Sequence, residues 1–125
     1  MKGVPRIVKL RAALDAALEK GAEDPLALDV RDVVSFADTF LIVTARSDRQ
    51  VRAVADAVVA ALVAVGEPPL GVEGLEEGRW ALLDFADLIV HVFLRDARET
   101  YALDRLWSDA SVIGLPAERA QKAAP

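Results

Sequence analysis

The run from Trp80 to Leu94 alternates its side chains twice over, and a period of two is what sorts a strand into faces. Ala81, Leu83, Leu88, Val90, Val92 and Leu94 fall on one face, which is wholly apolar and must meet a core. Trp80, Leu82, Asp84, Asp87, Ile89, His91 and Phe93 fall on the other, which mixes aromatic, aliphatic and acidic groups with the single histidine. Phe85 and Ala86 read as a two-residue turn between the strands, pairing Asp84 with Asp87, Leu82 with Ile89 and Trp80 with His91. A slip in register would change these partners without mixing the faces.

The rest of the chain supplies helices to cover such a hairpin. Ile7, Leu10, Leu14 and Leu18 recur at helical spacing with Lys9, Arg11, Asp15 and Glu19 off the stripe, which predicts a helix from about Pro5 to Lys20, stopped by Gly21. Leu26, Leu28 and Val30 alternate as a half-buried strand. The unbroken apolar run Phe40–Val43 suits a central strand covered on both faces. Ser47, with Gln50 at capping-box spacing, opens a second helix whose stripe is Val51, Val54, Ala55, Val58, Val59, Leu62 and Val63, and Gly66 closes it. Its valines form helices poorly, so burial must hold it. Leu70–Glu73 reads as a short strand and 74–78 as a polar loop. A third helix, capped by Asp96 with Glu99 at N3, runs to about Trp107. The order predicts an α/β fold, a mixed β-sheet of about five strands flanked by helices. It forms a single domain over residues 1–110, followed by a flexible C-terminal tail over 111–125.

Several function classes lose ground on composition. There is no cysteine, which removes disulfides, thiolate metal sites and cysteine nucleophiles. The net charge of −5, with basic residues scattered among acids, disfavours direct nucleic-acid binding as the main activity and favours a basic partner. No apolar run is long enough to span a membrane and no signal peptide is read, which places the chain in the cytoplasm. No cofactor motif is present: GVEGLEEG, over residues 71–78, fits neither a phosphate-binding loop nor a dinucleotide fingerprint.

Asp84, Asp87 and His91 are the residues an enzyme would use. Two carboxylates could hold magnesium for nucleotide chemistry, with His91 as acid or base. Aspartates are also common in turns, and a histidine in a sheet is more often bonded within it. The aromatics Trp80, Tyr101 and Trp107 suit either packing on the sheet or an interaction surface.

At this point the sequence resembles the ribosomal silencing factor, or Iojap-like, family. The resemblance runs from about Leu26 to Ala110 and is most specific in Glu73, Gly74, Trp80, Leu82, Leu83, Asp84, Asp87, Val90, His91, Val92, Phe93, Arg98, Tyr101, Leu103, Leu106 and Trp107. It implies a mixed sheet distantly like the nucleotidyltransferases, without catalysis or cofactor. It implies binding to the large ribosomal subunit through its fourteenth protein, blockage of subunit joining, repression of translation under nutrient limitation, and a homodimer when free. The partner-binding positions it implies are Trp80, Leu82, Asp84, Asp87, His91, Phe93, Tyr101, Leu103, Asp104, Leu106 and Trp107. The chain departs from the family at Ala45–Ser47, at Gln50, where a histidine is usual, at Asp104, where a glutamate is usual, and at Ala86, where a glycine is common. Alanine there implies a turn that does not need positive φ.

Overall fold

The computed structural model describes residues 4–101 and 109–115. Helix α1, Arg6–Glu19, leads into strand β1, Glu23–Asp29, and β2, Thr39–Ala45. Helix α2, Asp48–Ala64, precedes β3, Gly71–Glu73, then β4, Trp80–Asp84, and β5, Leu88–Leu94. Helix α3, Arg95–Tyr101, and the short strand β6, Ser111–Val112, complete the described elements.

The strands form one mixed sheet in the order β3-β4-β5-β2-β1-β6. β2 and β5 run parallel at its centre, and the other pairs are antiparallel. Every residue of β2 is buried, as the apolar run Phe40–Val43 predicts. Helices α1 and α2 pack on one face over Leu41, Val43, Leu83, Val90 and Val92. The opposite face gathers Leu28, Phe40, Ile42, Ile89, Phe93 and, from α3, Ala97. Apart from Asp87, the two predicted faces of the hairpin are thus the two sides of the sheet.

Both long helices end in the same hydrogen-bonded device. Ala22 N–H reaches Ala17 C=O and Gly21 N–H reaches Leu18 C=O; Glu67 and Gly66 repeat this on Leu62 and Val63. The helix-ending roles read for Gly21 and Gly66 hold, and the second of these turns delivers Glu67 to the side of α1.

Four local expectations are corrected. The hairpin register is shifted by two: Trp80 faces Phe93, Leu82 faces His91 and Asp84 faces Ile89. Buried Phe85 stays in the ladder, its N–H bonding Leu88 C=O, which moves the turn to Ala86 and Asp87. Ala86 has φ of 75°, so this turn does require the left-handed region. Asp96 does not cap α3, because β5 runs directly into Arg95 and leaves Asp96 inside the first turn. The segment from Ser111, expected as tail, begins with an edge strand: Val112 pairs with Leu28, and Ile113 N–H bonds Ala27 C=O. That strand satisfies backbone groups of β1 that would otherwise lie open.

On α1 the inward stripe is Leu10, Ala13, Leu14 and Ala17, with Ile7 and Val8 exposed. The same rotation of the helix carries Lys9 inward.

Candidate functional site

The half-exposed side chains of β4 form a row, Trp80, Leu82 and Asp84, on the face away from α1 and α2. Behind the row lies an aromatic cluster. Trp80 stacks on Phe93 with ring centroids 4.9 Å apart. Phe40 meets His91 edge-on at 4.7 Å. Trp80 Nε1–H donates to His91 Nδ1 at 3.1 Å. An indole N–H can only donate, so Nδ1 is the acceptor and the neutral ring carries its proton on Nε2. His91 is 4% exposed, and burial pushes its pKa down to about 4, so it is neutral at pH 7. Its Nε2 is buried without a hydrogen-bond partner among the described residues. The structural reading of this histidine, bonded within the sheet, therefore holds.

Asp84 and Asp87 point to different tasks. Asp84 Oδ1 accepts the Ala86 N–H at 2.8 Å, a side-chain turn that closes the hairpin end. The Asp87 carboxylate turns to the opposite side of the sheet and meets the ammonium of Lys9. Lys9 also donates to Phe85 C=O at 3.0 Å and lies 3.1 Å from Glu67 Oε1. Burial pushes the Lys9 pKa down, but the hydrogen bonds to Asp87 and Glu67 outweigh it and hold the ammonium above its ordinary range. Asp87 thus ties the hairpin turn to α1 and to the end of α2. The magnesium pair considered from sequence is not assembled, and among the described residues no group of three or more acids and histidines could hold a metal ion.

Gly74 positions the row from outside. Its φ is 87°, and a Cβ there would stand 2.0 Å from the backbone oxygen of Trp80. Only glycine lets the loop after β3 pass this close to the start of β4.

Comparison with known proteins identifies the family. The family described as ribosomal silencing factor during starvation matches residues 5–125. The chain belongs to the ribosomal silencing factor family. The ribosomal silencing factor of Bacillus subtilis (strain 168) is 42% identical over 109 residues, 87% of this chain and 91% of that protein. The chloroplastic Iojap protein of Zea mays is 35% identical over 104 residues, covering 81% of this chain and 44% of that longer protein. A crystal structure from Chromobacterium violaceum, 33% identical, superposes with a TM-score of 0.78 over 80% of this chain and 83% of that one.

In this silencing factor, Trp80, Leu82 and Asp84 stand together at the surface, with His91 and Phe93 buried behind them. Asp87 is separated from the row by its bond to Lys9. Tyr101 closes α3, its side chain not described, and Leu103, Asp104, Leu106 and Trp107 lie outside the described residues. No helix among the described residues is long and apolar enough to cross a membrane.

Two residues escaped sequence reasoning. Lys9 lies off the apolar stripe, where a lysine ordinarily faces water. Gln50 fits the capping box, and Ser47 Oγ does accept the Gln50 N–H at 3.1 Å. The Gln50 side chain, however, does not return the bond to Ser47. Its Oε1 accepts the Arg46 N–H at 2.7 Å, and its Nε2 donates to Lys20 C=O at 3.1 Å, tying the end of α1 to the start of α2. The signal that marked Gln50 beyond its capping-box spacing was its departure from the family's usual histidine.

Proposed function

We propose that this silencing factor binds the large ribosomal subunit through its fourteenth protein and, by its bulk, keeps the small subunit from joining, repressing translation when nutrients are short. Family membership supports the ribosome as target. The observation that supports a contact at this face is the row Trp80, Leu82 and Asp84, an aromatic and aliphatic patch with a carboxylate beside it. That composition suits a basic protein surface: apolar contact at the centre, charge at the rim. Tyr101, Leu103, Asp104, Leu106 and Trp107 extend the patch in this reading. His91 and Phe93 hold the Trp80 ring and do not themselves touch the partner. Asp87 serves the patch only by fixing the hairpin turn. The activity is binding without catalysis or cofactor, in the cytoplasm, and the free protein is a homodimer.

Co-sedimentation with isolated large subunits tests this. Trp80→Ala should weaken binding by about 2–4 kcal/mol if Trp80 is a central anchor. A folded variant that pellets with large subunits as well as the parent would remove Trp80 from the interface. A protein that sediments with intact ribosomes without displacing the small subunit would contradict the blocking role.

A further inference from the structure

A shallow groove runs between α2 and the outer edge of β3, lined by Ala55, Asp56, Val59, Ala60, Val72 and Leu75. It lies on the α2 side of the sheet, since Val72 pairs with Leu83, whose side chain belongs to the core beneath α1 and α2. The Trp80 row stands on the opposite side. β3 is the last strand of the sheet and pairs only with β4 among the described residues. The groove's apolar lining reaches solvent at Val72, which is 36% exposed. Arg52 braces one wall by donating to the carbonyls of Leu75 and Glu76 at 3.0 and 3.2 Å, and its charge is spent on Asp48. Asp56 lines the groove, Glu76 and Glu77 follow directly on Leu75, and all three are exposed, with none in an ion pair with a described residue.

We propose that this groove docks a basic amphipathic helix of a partner protein. Its apolar side chains at i, i+3 and i+4 would seat between Val59 and Val72, and its Lys and Arg residues would meet the three carboxylates. A helix fits better than an added strand, because β3 has three residues and follows Pro68 and Pro69, which leaves few backbone groups to pair. A second copy of this chain fits worse, because it would set the same three carboxylates against their counterparts. The groove is separate from the Trp80 row, so the docking stands whether or not that row binds the ribosome, and both surfaces can be occupied at once.

The probe is a labelled peptide of about 18 residues with Leu at the apolar helical positions and Lys elsewhere, followed by fluorescence anisotropy on the full chain. Ala60→Arg, which fills the groove, and Asp56→Lys, which reverses its rim, should each weaken binding roughly tenfold. Asp15→Lys makes the same charge change on exposed α1 and should weaken it less than about twofold. Amide shifts on peptide addition should centre on Ala55, Ala60, Val72 and Leu75. Equal weakening by Asp15→Lys and Asp56→Lys, or equal binding of a Glu-for-Lys peptide, overturns the proposal. So does the absence of binding, or a dimer that Ala60→Arg dissociates, which would make a second copy the occupant. If Ala60→Arg lowers the melting temperature markedly, Asp56→Lys alone decides, because its side chain is exposed.

Discussion

Trp80 and His91 are diagonal neighbours on β4 and β5, joined by one hydrogen bond from the indole Nε1–H to the imidazole Nδ1. The bond requires neutral His91, and burial keeps it neutral down to a pKa of about 4. A histidine whose folded pKa lies below its unfolded value of 6.5 loses stability as acid is added. The contribution is fully present above pH 6.5 and is lost as pH falls from there towards 4. The expected loss over that window is about 3 kcal/mol. Urea unfolding at several pH values should show this slope in the parent and lack it in His91→Gln, which keeps an acceptor for the indole. Identical slopes in the two proteins would mean that His91 is not the titrating group.

The Lys9 ammonium joins α1, the hairpin turn and the end of α2 through Asp87, Phe85 and Glu67. Lys9→Met leaves the Phe85 carbonyl without its donor and the two carboxylates without their cation. It should destabilise by about 1–3 kcal/mol. Because the lysine pKa is raised on folding, its contribution is intact below the ordinary lysine value and is lost as pH rises through the higher one. Chemical denaturation of Lys9→Met, Asp87→Asn and the double variant measures the coupling, and strict additivity would show that the contact does not stabilise.

Ala86 holds φ of 75° at the turn, where a side chain is strained. Ala86→Gly should therefore stabilise the fold by about 1 kcal/mol, the reverse of the usual effect of glycine. A lower melting temperature for the glycine variant would contradict the left-handed turn.

Gly74→Ala should do the opposite. The added Cβ meets the Trp80 carbonyl oxygen at 2.0 Å, and neither group is the end of a flexible side chain. The loop or the start of β4 must move, at a cost of about 2 kcal/mol or more. Near-ultraviolet circular dichroism and large-subunit binding should change together, since the same backbone carries the Trp80 ring.

The sequence shows the fold because its largest signals are periodic. The stripe of α2, the buried run of β2 and the two parities of the hairpin each follow from local repeats that tertiary packing then uses unchanged. Register was less visible. The choice between a turn at Phe85–Ala86 and one at Ala86–Asp87 depends on whether Phe85 is buried, and Phe85 is buried in the core that α1 and α2 form with the sheet, from residues distant in sequence. Edge strand β6 is two residues long and has no period to read; it exists because β1 has an edge to cover.

The mixed face beginning at Trp80 was legible as composition, and its faces survived the shift in register because a shift of two preserves parity. Sequence alone determined that Trp80, Leu82, Asp84, His91 and Phe93 share a side of the sheet. Only the tertiary structure separated them into a half-exposed row and a buried support, and only it sent Asp87 to Lys9. Those outcomes depend on contacts between residues far apart in the chain: Lys9 stands 78 positions from Asp87. Periodicity describes which way a side chain leaves its own element, whereas burial and charge pairing depend on what another element brings to meet it.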